Sequence, residues 1–177
     1  MGSLHKPSHP IFRKREAQES PERRCKHYHL SMTEIHTALS DSALDIPAAL
    51  ASVSGPDCGG IAVFVGTVRS SAAVPGHESK SVVRLDYEAH PTLAPERLDD
   101  IARAAAERWD VRRITAIHRT GACDLGEPTV VVSCGAPHRG DALEACRWLI
   151  DELKATVPIW KREVYSDGSS WVGAEGR

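Results

Sequence analysis

A chain of 177 residues with 41% hydrophobic and 26% charged residues has the size and composition of one soluble domain that buries its own core. Its 22 Lys and Arg against 24 Asp and Glu leave a formal charge of −2, which excludes a global field for nucleic acid and leaves any anion to a local cluster of Arg, Lys and His. No apolar run approaches the ~20 residues of a membrane helix, and the start of the chain has neither the apolar core of a signal peptide nor the Ser or Thr of a myristoylation site, Lys6 standing there instead. A cytoplasmic protein with no membrane contact is expected. The five cysteines, Cys25, Cys58, Cys123, Cys134 and Cys146, contain no C-x-x-C pair and no zinc-site spacing, so neither a metal nor a disulfide framework is expected.

Residues 1–30 are rich in Pro, Ser, Lys, Arg and Glu without apolar periodicity, and read as a disordered tail whose basic run Arg13-Lys14-Arg15 is solvated. A single domain is expected over 31–177, and the more regular character that opens at Met32 raises the hypothesis of a natural start there. Asp45, Pro47 and the apolar Ala48, Ala49, Leu50 and Val53 predict a short capped helix that stops at Gly55. The run 61–68 is β-branched and aromatic, and Val83, Leu85 and Tyr87 alternate with Arg84, Asp86 and Glu88, so both read as strands. The polar stretch 70–81 between them, with Pro75 and Gly76, reads as a loop.

Leu98, Ile101, Ala105 and Trp109 recur at helical steps and predict an amphipathic helix over 95–109. Strand patterns follow at 113–118 and 129–133, separated by Gly121 and by Asp124-Leu125-Gly126-Glu127, and are expected to pair as a hairpin. A second long helix is predicted over 140–155 with Leu143, Cys146, Ile150 and Leu153 buried, ended by Pro158. A last strand at 159–165, the turn Asp167-Gly168 and a strand at 170–172 complete the chain. Adjacent strands joined by short loops predict an α+β fold with a largely antiparallel sheet, two long helices and the short N-terminal helix.

Cations gather where sites form: Arg69 at a strand end, His138-Arg139 before a helix, Lys154 near that helix's end, and Lys161-Arg162 beyond Pro158. The free N–H groups of a helix start make His138-Arg139 an anion seat, although any one of these cations alone also reads as a solvated surface charge, and His138 equally as a helix cap. Lys161 sits beside Trp160 and near Pro158; partial desolvation there disfavours the ammonium and makes Lys161 a candidate for proton exchange.

The stretches Val63-Phe64-Val65-Gly66-Thr67-Val68-Arg69, Leu85-Asp86-Tyr87-Glu88-Ala89, Ile117-His118-Arg119-Thr120-Gly121, Gly126-Glu127, Pro137-His138-Arg139, Leu153-Lys154 and Pro158-Ile159-Trp160-Lys161-Arg162-Glu163 stand in an order and spacing that resembles the large, catalytic subunit of molybdopterin synthase. The resemblance spans roughly 43–171. It implies a sulfurtransferase of molybdenum cofactor biosynthesis that converts cyclic pyranopterin monophosphate to the dithiolene of molybdopterin. It also implies a partner, a small ubiquitin-like sulfur-carrier subunit whose C-terminal Gly-Gly carries a thiocarboxylate. This chain ends Glu175-Gly176-Arg177 and is not expected to be its own donor. The assembly implied is a homodimer of large subunits within a heterotetramer.

Carried over by position, the family's substrate contacts fall on Thr67, Val68, Arg69, His138, Arg139, Lys154, Lys161, Arg162 and Glu163, with Lys154 and Lys161 as the catalytic pair. A cyclic phosphate suits arginine and a helix start, and lysines suit a thiocarboxylate and a leaving oxygen. No cofactor is implied. Two other classes compete: a pterin- or phosphate-binding protein without catalysis, which loss of a lysine would mark, and a metal-dependent hydrolase, for which the nine histidines offer no H-x-x-x-H pair on a helical segment. Nucleic acid is not an expected partner.

Overall fold

The computed structural model describes residues 32–72 and 80–174; the tail expected over 1–30 and the middle of the 70–81 loop lie outside the described residues. In chain order these form β1 (Glu34–Ser40), α1 (Ile46–Ser52), β2 (Gly60–Thr67), β3 (Ser71–Ala72), β4 (Lys80–Ala89), α2 (Leu93–Arg108), β5 (Arg113–Arg119), β6 (Gly121–Asp124), β7 (Pro128–Ala136), α3 (Arg139–Thr156), β8 (Ile159–Tyr165) and β9 (Ser170–Ala174). The class is α+β, as adjacent strands joined by short loops predict. No described helix is long and apolar enough to cross a membrane.

Helices α1 and α2 begin where side chains accept their free N–H groups. Asp45 accepts from the Ala48 N–H at 2.9 Å, with Pro47 in the first turn of α1. Helix α2 starts at Leu93, ahead of the predicted 95, because His90 Nδ1 accepts from the N–H groups of Leu93 at 3.1 Å and Thr92 at 3.3 Å. Its buried face is Ala94, Leu98, Ile101, Ala102 and Ala105. In α3 the buried stripe is Ala142, Ala145, Cys146, Leu149, Ile150 and Leu153. Leu143 departs from expectation and is 60% exposed: it stands roughly 100° round the axis from Ala142, off the flank of that stripe.

The first sheet runs β1-β5-β7-β2. Strand β1, which periodicity did not single out, lies parallel to β5 with Ile35 opposite Ile114 and Leu39 opposite His118; the other two pairings are antiparallel. Helix α3 packs on β2 and β7 and α2 on β1 and β5, enclosing Ile114, Ala116, Val130, Val132 and Cys134 with Leu98, Ile101, Leu149 and Leu153 in one core. Full burial of each Leu or Ile there contributes about 1.5–3 kcal/mol. Alternation sends Thr115 and Ser133 to the opposite face, where α1 covers them: Ser133 Oγ donates to the Ala49 carbonyl at 3.0 Å, and Ser52 Oγ lies 2.7 Å from Thr115 Oγ1.

The second sheet runs β3-β4-β8-β9, with β6 also on β4, and every pairing is antiparallel. The expected hairpin of β5 and β7 pairs as predicted, but the connection is more than a turn. At Gly121, whose φ of 77° suits glycine, the chain leaves the first sheet as β6 and pairs with β4 before returning. The predicted inward set of β4 also changes. A register shift between Val82 and Arg84 buries Val82 and leaves Val83 42% exposed, because a bulge reverses the side-chain alternation.

Candidate active site

Three pieces of backbone carry the site. At the end of β2 the register shifts between Gly66 and Thr67, and Val68 is then fixed: its N–H donates to the Glu127 carbonyl at 3.1 Å and its carbonyl accepts from Gly126 at 2.8 Å. Its side chain is 3% exposed, so Val68 is a core anchor from which Arg69 emerges to solvent. Lys154 lies in the last turn of α3. Pro158 cannot continue the helix, and β8 starts at once, with Ile159, Lys161, Glu163 and Tyr165 as one alternating set.

These pieces enclose a cavity of about 330 Å³ lined by Thr67, Arg69, Lys154, Lys161 and Glu163, with Phe64, Leu85, Tyr87 and Thr129 completing its wall. Lys161 Nζ is 3.1 Å from Glu163 Oε1, their side chains 21% and 10% exposed. The second oxygen of Glu163 accepts from the Tyr165 hydroxyl at 2.9 Å. Burial and then that hydrogen bond push the Tyr165 phenol up to about 12, so it acts as a donor at neutral pH. Arg69, Lys154 and Lys161 against the single carboxylate of Glu163 give the cavity a net positive lining suited to an anion. Among the described residues no group of three or more His, Cys, Asp or Glu is gathered as a metal needs.

One expectation about Lys161 changes. Successive strand residues point to opposite faces, so Trp160, 42% exposed, does not cover it. What shields Lys161 is its own face: Tyr87 directly opposite on β4, and Glu163 two residues on, itself opposite Leu85.

The other residues carried over from the family lie elsewhere. Arg162 shares the outer face with Trp160, where its Nη2 is 2.7 Å from Asp86 Oδ2. Arg84 Nε meets the other oxygen of Asp86 at 2.8 Å. Burial works to raise the Asp86 carboxyl, but the two guanidinium groups outweigh it and hold the carboxyl below the usual carboxylate range. His138 and Arg139 are exposed at the start of α3 and line a separate cavity of about 450 Å³ with Gly59, Pro137 and Gly140. His138 makes no side-chain cap hydrogen bond. The 15 residue steps of helix from Arg139 to Lys154 set the two groups roughly 22 Å apart along the axis.

Phe64, Tyr87, Thr129 and Tyr165 belong to the site or its support, and none of them stands among the expected site residues. Tyr87 was legible in principle, since β4 alternation puts it on the face that meets β8. Phe64 and Thr129 come together only through the β2–β7 pairing, which no local pattern specifies.

The protein-family model described as MoaE protein matches residues 39–156. The molybdopterin synthase catalytic subunit of Arabidopsis thaliana is 44% identical over 119 residues, which is 67% of this chain and 58% of that protein. Molybdopterin synthase catalytic subunit 1 of Mycobacterium tuberculosis is 43% identical over 135 residues, 76% of this chain and 88% of that protein. This chain thus spans less than two thirds of the plant relative and most of the bacterial one. Among solved structures, molybdopterin synthase from Staphylococcus aureus superposes with a TM-score of 0.67 at 26% identity, covering 80% of this chain and 96% of that one. The chain therefore belongs to the MoaE protein family, that of the molybdopterin synthase catalytic subunits.

Proposed function

We propose that this chain transfers sulfur from the C-terminal thiocarboxylate of a small ubiquitin-like partner to cyclic pyranopterin monophosphate, in the cytoplasm, as the catalytic subunit of molybdopterin synthase. The observation that carries the reading is the meeting of Arg69, Lys154 and Lys161, from three separate elements, in one cavity of about 330 Å³. A catalytic subunit, as the relatives are called, implies a second component, and the donor tail and the phosphate are both anions that such a lining attracts. In each of two rounds the thiocarboxylate sulfur forms a C–S bond to a substrate carbon as that carbon's C–O bond breaks. The leaving oxygen takes a proton from a lysine ammonium, and water hydrolyses the resulting thioester so that the partner departs as a carboxylate. Lys154 and Lys161 are assigned that proton and the positioning of the tail. Thr67 and Arg69 line the same wall and bind the substrate.

His138 and Arg139 enter through the homodimer. Within one chain they open on a different cavity from the lysines, so they contribute to the same substrate only when a second copy brings its α3 start to the first copy's lysine cavity. Arg162 and Glu163 act beside this chemistry, one on the outer face of the sheet and the other beneath Lys161.

The test is single-turnover formation of dithiolene from cyclic pyranopterin monophosphate with pre-formed thiocarboxylated partner in excess. Product in stoichiometric yield supports the reading. A chain that binds both the partner and the pterin but leaves the thiocarboxylate intact is a binding protein, and the proposal fails.

A further inference from the structure

We infer that Tyr165 is a positioning residue of the sulfur-transfer site, holding the Glu163 carboxylate in the place from which Glu163 fixes the Lys161 ammonium; the inference rests on the proposed function above. The three side chains sit at alternate positions on one face of β8, about 6.6 Å apart along the strand. Lys161 and Glu163 line the cavity whereas Tyr165 does not. Tyr165 is 5% and Glu163 8% exposed, so the carboxylate has little access to water and takes its partners from the strand: Lys161 at 3.1 Å on one oxygen and the Tyr165 hydroxyl at 2.9 Å on the other. A carboxylate held at both oxygens has a fixed orientation, and so has the lysine paired with it. Tyr165 is itself pinned where β8 turns into β9, its N–H donating to the Ser169 carbonyl and its carbonyl accepting from Gly168, both at 3.0 Å.

The charged and titratable groups that face Lys161 are Glu163 on its own strand, Tyr87 on β4, Arg69 beyond β2 and Lys154 on α3. Tyr165 faces Glu163 and also senses Asp167 in the turn. Donation by the phenol draws negative charge from Glu163 and so weakens its hold on the ammonium. Removing the hydroxyl strengthens that hold, and a more acidic phenol weakens it further. A residue acting only through packing moves neither way.

The experiment compares single-turnover pH–rate profiles of the wild-type chain, Tyr165→Phe, and a chain with 3-fluorotyrosine at position 165, each with excess thiocarboxylated partner. The alkaline limb, on which an ammonium needed to protonate the leaving oxygen is lost, reports the lysine. In Tyr165→Phe that limb is expected to move to higher pH by roughly half a unit, with an about threefold change in rate on its slope and KM unchanged. With 3-fluorotyrosine, which keeps the ring and the hydroxyl and serves even if the Phe variant folds poorly, the limb is expected to move to lower pH. Superimposable profiles, or shifts in the same direction, overturn the inference. Further results separate the levels: a wild-type chain that leaves the thiocarboxylate intact sinks the sulfur-transfer reading itself, turnover retained in Lys161→Ala removes Lys161 and with it Tyr165 from the reaction, and a dead Lys161→Ala with unmoved Tyr165 profiles sinks only the role of Tyr165.

Discussion

Arg162 Nη2 lies 2.7 Å from Asp86 Oδ2, directly across the β8–β4 ladder and on the face of the sheet opposite Lys161. The two neighbours in sequence are therefore separated in function by the strand period alone. Arg162→Ala is expected to leave single-turnover chemistry within about twofold of wild type and to cost about 1 kcal/mol of stability or less, as for a partly exposed ion pair. Loss of chemistry as deep as in Lys161→Ala would place Arg162 in the reaction.

The same cluster fixes a pH dependence. The Asp86 carboxyl is held below its ordinary range by Arg84 and Arg162, so its contribution is present above the unfolded value of about 3.9 and is lost as pH falls through the lower folded value. Asp86→Asn removes the charge at every pH. The stability gap between wild type and Asp86→Asn is expected to be about 1 kcal/mol at neutral pH and to close as the pH is taken below about 4. Urea melts at about pH 7, 5 and 3 check it; a gap that widens on acidification contradicts the assignment.

Gly135, buried near the end of β7, packs against the backbone at the end of α1. A Cβ there would collide with the Val53 carbonyl oxygen and come within 2.9 Å of Cys58 Sγ. Backbone cannot yield as a flexible side chain does, so Gly135→Ala is expected to cost about 3 kcal/mol and to lower Tm by roughly 6–12 °C. Gly140→Ala is the control. Its Cβ meets nothing within 4 Å, and alanine in α3 is expected to gain up to about 1 kcal/mol. Equal Tm values for the two variants would show that the Val53–Gly135 contact is looser than described.

Most of this architecture was legible because the elements obey their periods. The stripe Leu98, Ile101 and Ala105 is buried as spaced, and the cap at Asp45 forms the bond its residue type predicts. The errors have physical causes. Leu143 fits a helical step yet falls outside the stripe that the neighbouring alanines define. Val83 was reversed by a bulge that leaves no mark in the alternation. Strand β1 does alternate, with Ile35, Thr37 and Leu39 in phase, but it pairs with β5 across a gap of more than seventy residues that local pattern does not bridge. In the site, residue identity came from the family resemblance and from charge at element ends. What neither could supply is the partition: Lys154 and Lys161 share a cavity, His138 and Arg139 have another, and Arg162 faces away.

That partition makes the homodimer testable. If each site combines the lysines of one copy with His138 and Arg139 of the other, Lys161→Ala and Arg139→Ala chains are each impaired alone. Dimers of one chain of each kind then hold one intact site. A random equal mixture, refolded together, is expected to recover about a quarter of wild-type activity at subsaturating substrate, since about half the dimers are mixed and half their sites intact. Recovery no greater than the mean of the two separate variants would mean that the two groups serve one site within a chain or two unrelated sites.

Lys154 and Lys161 bear the catalytic reading, and they reach the cavity from different supports. Lys154 is half-buried on the last turn of α3, and Lys161 is held at 3.1 Å by a buried carboxylate. Replacing either with Ala is expected to reduce dithiolene formation by at least about 10²-fold, the scale of a positioned proton-transfer group. The folds should survive, although Lys161→Ala leaves Glu163 with one partner fewer and is expected to cost about 1–3 kcal/mol more than Lys154→Ala for that reason. Arginine keeps the charge but does not release its proton. A lysine that only steadies the thiocarboxylate should therefore keep partial activity as Arg, whereas one that protonates the leaving oxygen should not. Excess pre-formed thiocarboxylated partner and single-turnover counting keep weakened docking from passing as lost chemistry. The tight Glu163 contact favours Lys161 as the group that tolerates no change, so Lys154→Arg is expected to retain more activity than Lys161→Arg; the reverse order would exchange their roles, and near-normal turnover in both Ala variants would remove these lysines from the reaction altogether.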